Sequence, residues 1–435
     1  MLTNITRKLL SPRYFDRYEN SPDLFRMYRE YTQRAAWSKE RLEQYQISRL
    51  RRILIHARDN TEHYREVFHD CSFNPDKFEA LEQLNALPIL TKDIVRANFN
   101  RIISKDFVPE ERYLSITGGT SDVTMRFYRN RECRSHRLAA QWRFDSWSGW
   151  YPLLNVAYIW PSFQDFHPDE GYKQKLVRKF ITGVQPYYSG YLGPSECERI
   201  VKSLRDFKPR LIRCFPTPAA EIAHYMLTNG TVLSGVKGVV STGEPLYPKD
   251  RIALETAFNT PTYNLYASRE TGPIAAQCER HGNLHIAVDS VAVEIVRDGR
   301  QLPHGESGEI VITDLRNFAM PLIRYAIKDF GQTTGEHCEC GRGFPLMKGV
   351  IGREYDSFID SNGRTVIALS LADLLIDKGP RVGQIQIIQN NPSDITVRLC
   401  GGPPLDESDR AFYSEGLKKL VPGTETVKFE IVDKI

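Results

Sequence analysis

A chain of 435 residues with 41% hydrophobic and 26% charged content has the apolar material for a large core and the length for two domains. Its net charge is only +4, and the basic excess in positions 1–60, a local +6, is interleaved with acids and aromatics, which argues for an amphipathic scaffold and against a nucleic-acid arm. No apolar run reaches the about 18 residues of a membrane span, no secretory leader is apparent, and eight cysteines are too sparse for a disulfide framework, so a cytoplasmic protein is expected.

The first hundred residues read as helical. Leu50, Ile53, Leu54 and Ala57 recur at i, i+3, i+4 and i+7, one apolar stripe of a helix. In "LPILTKDIV", Thr91 stands where a helix cap belongs. From about residue 153 short apolar runs alternate with helical patterns. "NVAYIW", "PRLIRCF", "VKGVVS" and "PTYNLY" read as buried strands, and "PSECERIVKSLRDF", "PAAEIAHYMLTN" and "PKDRIALETAF" as the helices between them. Such alternation predicts an α/β fold with a parallel sheet and crossover helices. After residue 284 the pattern becomes antiparallel, and the last 75 or so residues read as a small α+β domain. The expected division is a large domain over 1–352, opening with a helical region over 1–100, and a small one over 353–435.

Ligands of open α/β sheets bind beyond the carboxyl ends of the strands. Here those ends are Trp160-Pro161-Ser162, Phe215-Pro216-Thr217, Thr242-Gly243-Glu244-Pro245 and Ala267-Ser268-Arg269-Glu270, so these residues are expected to converge on one crevice. Upstream, "TGGTSDVT" at 117–124 is a glycine- and hydroxyl-rich loop of the kind that wraps a phosphate. It lacks the lysine of GxxxxGK[ST], and no GxGxxG, GxSxG or HExxH occurs. Cys278 and His281 form C-x2-H, and Cys338 and Cys340 form C-x-C. Four such donors in two close pairs suit a tetrahedral structural Zn2+, with His285 and His337 as alternative nitrogen ligands and buried free thiols as the plainer reading.

Taken in order, "LSITGGTSDVTMRFYR", "STGEPLYP", "YNLYASRETG", "PLIRYAIKDFG" and "GREYDSF" resemble the ANL superfamily of adenylate-forming enzymes. Within it the chain is most like the phenylacetate–coenzyme A ligase family, particularly its capsular-polysaccharide-biosynthesis branch. The resemblance implies ATP-dependent activation of a small carboxylic acid through an acyl-adenylate, followed by transfer to coenzyme A. It implies that Thr117, Gly118, Gly119, Thr120 and Ser121 cover the outer phosphates of ATP, with Thr117 and Thr120 taking part in catalysis. Gly243, Glu244 and Pro245 would line the adenine pocket and Tyr266 would stack on the base, with Ala267, Ser268 and Arg269 beside it. Glu270 would hold Mg2+, Asp329 would bind the ribose hydroxyls, and Arg353 would lie at the hinge of the small domain. Trp160, Phe163 and Phe215 are apolar candidates for the acyl pocket.

Two departures from the family stand out. Asp122 replaces a usual glycine, and the chain ends at "VKFEIVDKI", ahead of the loop that carries the family's catalytic lysine, so the small domain is expected to lack it. Passage of the acyl group to an amine or hydroxyl, or loss of catalysis with nucleotide binding retained, are the rival expectations. The oligomeric state is open, with a homodimer as one arrangement.

Overall fold

The helical opening forms where the spacing placed it. It comprises α1 (Leu2–Arg17), α2 (Leu24–Arg34), α3 (Lys39–Asn60) and α4 (Glu62–Asp70). Leu50, Ile53, Leu54 and Ala57 on α3 are fully buried; burial of each leucine or isoleucine contributes about 1.5–3 kcal/mol. Thr91 Oγ1 accepts from the Ile94 amide at 3.3 Å and starts α5 (Lys92–Ala97), which is followed by one turn, α6 (Phe99–Ile102). The structure is a computed structural model and describes residues 2–17, 19, 21–116, 125–161, 171–190, 192–350, 352–353, 357–361, 365–367, 384–401 and 405–432.

A hairpin of β1 (Arg112–Ile116) and β2 (Arg126–Asn130) brackets residues 117–124. Thr117, Gly118, Gly119, Thr120, Ser121 and Asp122 therefore lie outside the described residues, as does Phe163. After α7 (Arg131–Ser146) come β3 (Val156–Trp160), α8 (Tyr172–Thr182), β4 (Val184–Tyr188), α9 (Pro194–Phe207), β5 (Leu211–Cys214), α10 (Pro216–Thr228), β6 (Gly238–Ser241), α11 (Pro248–Phe258) and β7 (Thr262–Ser268). The strands pair in parallel in the order β4-β3-β5-β6-β7. Ile159, Ile212 and Val239 on one face of this sheet share a core with Ile200 and Leu204 of α9, Ile222 of α10 and Leu254 of α11. The sequence reading missed β4. It contains Pro186, which removes a ladder donor and is tolerated because β4 is an edge strand.

The sheet reverses direction earlier than expected. β7 pairs antiparallel with β8 (Gly272–Ala276), which pairs with β9 (Leu284–Ile286). The antiparallel part then holds β10 (Val291–Arg297), β11 (Arg300–Gln301), β12 (Ser307–Asp314), β13 (Tyr325–Thr334) and β14 (Leu346–Met347), in the order β8-β9-β14-β13-β12-β10-β11. Buried charge ties this part to the helices: Asp289 accepts from Arg34 Nε at 3.0 Å and Arg143 Nη1 at 2.9 Å. Burial alone would raise the Asp289 pKa, but Arg143 and Arg34 outweigh it and hold the carboxyl below its usual range.

The chain divides into two units, the second comprising Tyr247–Lys249, Lys328–Phe330 and Val350–Ile435. Within that unit Asp329 and Phe330 pair with Arg353 and Gly352 of β15 (Gly352–Arg353), and β16 (Ser357–Ile359) pairs with β17 (Thr365–Ile367). Its three-stranded sheet joins β18 (Gln384–Asn391) antiparallel to β19 (Asp394–Cys400), and β19 parallel to β20 (Thr426–Ile431). Ile395, Val397 and Leu399 pack with Tyr413 and Leu417 of the helix Glu407–Leu420. Among the described residues no helix is long and apolar enough to cross a membrane.

Candidate active site and a metal-ligand cluster

Parallel registration sets the strand ends side by side. Ile159 pairs with Cys214, Cys214 with Ser241, and Ser241 with Asn264. The ladder continues one residue past the strands, with the Phe215 amide donating to Ile159 O at 3.2 Å and the Thr242 amide to Cys214 O at 2.9 Å. Just beyond, the Trp160 and Phe215 rings meet edge to face at 4.6 Å. Gly243 has φ +86°, and a Cβ there would lie 2.5 Å from the Phe215 ring, so glycine is required by both backbone and space. Glu244 Oε2 accepts from the Thr217 amide at 3.3 Å, in the first turn of α10, where a carboxylate is favoured by the helix dipole. Trp160, Phe215, Gly243 and Glu244 are thus brought together, with Pro245 exposed next to them.

The β7–β8 connection builds the second half of this end of the sheet. Tyr266 is buried opposite Ala275, and the register shifts between Tyr266 and Ala267. Ser268 Oγ accepts from the Thr271 amide at 3.1 Å and lies 3.0 Å from Thr271 Oγ1, which closes the turn. Gly272, with φ +81°, lets Arg137 pack within 2.9 Å of where a Cβ would be, and Arg137 donates to Arg269 O at 2.9 Å. This turn buries Glu270 to 7% exposure. Its Oε1 accepts from Tyr325 Oη at 3.1 Å. Tyr325 is fully buried on β13, and sequence reasoning missed it. The available signal was a tyrosine inside an otherwise apolar strand pattern, since a buried phenol requires a polar partner. Asp329 lies four residues farther along β13, in the second unit, opposite Arg353. Glu354 to Asp356, read as the hinge, lie outside the described residues.

A second constellation corrects the expected metal ligands. The donor atoms of Cys278, His285, Cys338 and Cys340 all lie within 4.8 Å of one another. Cys278 Sγ is 3.6 Å from Cys338 Sγ, and Cys340 Sγ is 3.5 Å from His285 Nε2. His281 is not in this group. It takes φ +55°, donates its amide to Cys278 O at 3.0 Å, and lays its ring on Tyr263 at 4.8 Å. The C-x2-H spacing makes a tight turn, and the next strand supplies the nitrogen: β9 pairs His285 with Ala276 and with Leu346. Burial, reinforced by Arg342, lowers the His285 pKa to about 4, which keeps the imidazole neutral. Arg342 in turn is held by both oxygens of Glu279 at 2.9 Å and lies over Trp147 at 4.5 Å.

Residues 186–318, from β4 past β12, match the AMP-binding enzyme family; this segment contains Phe215, Gly243, Tyr266 and Glu270. The chain is 27% identical to Protein CapK of Staphylococcus aureus over 405 residues, 90% of this chain and 85% of that protein. It is 27% identical to a phenylacetate-coenzyme A ligase of Thermus thermophilus over 340 residues, 74% of this chain and 72% of that enzyme. Among solved structures, 2-hydroxyisobutyryl-CoA ligase in complex with 2-HIB-AMP superposes with a TM-score of 0.73 at 20% identity, covering 92% of this chain and 87% of the other. O-succinylbenzoate coenzyme A synthetase from Bacillus subtilis, in complex with ATP and magnesium ion, gives 0.53 at 16% identity over 74% of this chain and 66% of its own.

Proposed function

We propose that the chain is an AMP-forming acid–thiol ligase of the ANL superfamily of adenylate-forming enzymes, on the branch of the phenylacetate–coenzyme A ligases and CapK, a reading supported by its similarity to them. The carboxylate oxygen of a small acid attacks the α-phosphorus of ATP, and pyrophosphate leaves. The sulfur of coenzyme A, its proton lost, then attacks the acyl carbon and releases AMP. The first step concentrates negative charge, so the protein's task is to position groups and neutralise that charge. Glu270 is the residue suited to hold Mg2+, a hard cation that takes oxygen ligands and would neutralise phosphate charge when bound. The observation that carries this reading is the burial of Glu270 against Tyr325 at the carboxyl end of the sheet.

Around it, Tyr266 is assigned to the adenine ring, with Ala267, Ser268, Arg269 and Gly243 to Pro245 lining the nucleotide site. Asp329 is assigned to the ribose hydroxyls, Arg353 to the hinge, and Thr117 to Ser121 to the outer phosphates. Trp160 and Phe215, whose rings meet at 4.6 Å, are assigned to an apolar wall that favours an aromatic or medium-sized acid, with Phe163 as a further candidate. A cytoplasmic setting is assigned from the sparse, scattered cysteines of the sequence. Carboxylate-dependent ATP–pyrophosphate exchange across a panel of acids tests the first step, and thioester detection with coenzyme A the second. No exchange with any acid would overturn the proposal. Exchange without thioester would redirect the acyl group to another acceptor.

Cys278, His285, Cys338 and Cys340 are assigned to a structural Zn2+. A tetrahedral ion with bonds of about 2.3 Å to sulfur and about 2.0 Å to nitrogen has S–S edges of about 3.8 Å and S–N edges of about 3.5 Å. Two of the six separations, 3.6 and 3.5 Å, are close to those edges, and all six lie within 4.8 Å. One equivalent of zinc in the purified protein, lost in Cys338→Ser, is the expected result. Metal-free protein of undiminished stability would overturn the assignment.

A further inference from the structure

The basic excess near the N-terminus includes none of the residues assigned to acid activation, and the structure gives it a definite setting. α1 is fastened along α8 by backbone-directed bonds: Arg7 Nε donates to Phe180 O at 2.6 Å, and Ser11 Oγ to Ile181 O at 2.8 Å. Arg7 Nη1 extends the anchor to Leu153 O at 3.0 Å and Asn155 Oδ1 at 2.8 Å. Five residues not used in this packing are apolar and exposed. Leu9, Leu10, Leu176, Val177 and Phe180 are 70%, 44%, 42%, 49% and 61% accessible. Scattered apolar residues on a surface need no explanation, but five on two adjoining helices do.

Charge decides what such a surface fits. The two helices contain eight Lys/Arg and one acid, Asp16, a net +7 against +4 for the whole chain. Asp16 is itself bonded to Arg131 at 2.9 Å. Lys8, Arg13, Arg17 and Lys175 are exposed on these helices. Apolar side chains flanked by cations of a single sign are the pattern of helices that lie in the headgroup region of a bilayer, with the apolar residues at the acyl boundary and the cations on anionic headgroups. A nucleic acid would use the cations and leave the leucines and Phe180 wet.

We propose that the α1–α8 face seats this protein on the surface of an anionic lipid bilayer. This goes beyond ligase activity and uses none of the residues assigned to it. The test is co-sedimentation of the full chain with vesicles of phosphatidylcholine alone or mixed with phosphatidylglycerol. Partition onto the mixed vesicles about ten-fold above the neutral ones, falling as salt rises, is the expected result. Leu176→Ser with Phe180→Ser, and Lys8→Glu with Lys175→Glu, should each lower that partition about ten-fold while leaving pyrophosphate exchange and the melting temperature unchanged. Equal, salt-insensitive partition onto both vesicle types overturns the proposal. So does a change of oligomeric state in the variants with no change in vesicle binding, which would make the face a contact between copies of the chain.

Discussion

Replacing Tyr325 with phenylalanine removes one oxygen atom from the interior and tests how the proposed metal ligand, Glu270, is aimed. Tyr325 Oη donates to Glu270 Oε1 at 3.1 Å, with both residues buried. A hydrogen bond to a charged acceptor contributes about 1.5–3 kcal/mol. Partners that orient a metal-ligating carboxylate, when deleted, cost about 10–100-fold in metal affinity or activity, equivalent to about 1.4–2.7 kcal/mol. The two ranges agree, so Tyr325→Phe is expected to raise the Mg2+ concentration for half-maximal ATP–pyrophosphate exchange about 10–100-fold. High Mg2+ should restore much of the rate, because Glu270 remains. Glu270→Gln should lose more and should not be rescued. Phenylalanine fills the same space, so stability should fall by no more than the about 1.5–3 kcal/mol of that hydrogen bond, which separates a positioning effect from misfolding. An unchanged Mg2+ dependence in Tyr325→Phe would refute the reasoning.

Other perturbations probe neighbouring features. Gly243→Ala puts a Cβ 2.5 Å from the Phe215 ring at φ +86°; the backbone strain alone is about 1 kcal/mol, and displacement of the ring from Trp160 should raise KM for the acid more than for ATP. An unaltered acid preference would remove Phe215 from the acyl wall. His136, buried with Nε2 3.3 Å from Glu132, has its pKa lowered to about 4 by burial. Between its ordinary 6.5 and about 4, the unfolded chain takes up a proton that the folded site refuses, so stability falls with pH by about 1.4 kcal/mol per unit. In urea titrations at pH 7 and pH 5, His136→Gln should shrink the loss on acidification by about 2 kcal/mol; an identical loss would show that the histidine is not the source. Asp289→Ala strips the buried Arg34 and Arg143 of their shared partner and should cost about 3–5 kcal/mol in the same assay, whereas a cost below about 1 kcal/mol would mean that water replaces the carboxylate.

Much of the large unit was legible because local chemistry and tertiary structure agree there. The helices α9 and α11 span the segments read from their 3.6-residue period, and the four apolar runs became β3, β5, β6 and β7, whose ends converge as connectivity required. What was missed depended on neighbours that are distant in sequence. β4 carries Pro186 and reads as a non-strand, but an open sheet edge accepts it. Tyr325 acquires its role only when β13 is laid near the β7–β8 turn, a contact across 55 positions. The choice of His285 over His281 turns on strand pairing that brings residue 285 beside 276, which ligand spacing along the chain does not encode. Asp329 was visible as a motif residue, and its pairing with Arg353 follows from the register of β13 and β15.

The reversal of the sheet after Ser268 has a consequence for how such an enzyme can diversify. Glu270 sits on a three-residue link, Arg269 to Thr271, between two strands bonded to each other, a span with no slack for insertion. The link from β6 to α11, Thr242 to Tyr247, is six residues long, and a connection of that length accepts insertion at little cost to the ladder. The stretch that would border the nucleotide can therefore change in length beyond Pro245, while the part that would anchor the metal stays fixed.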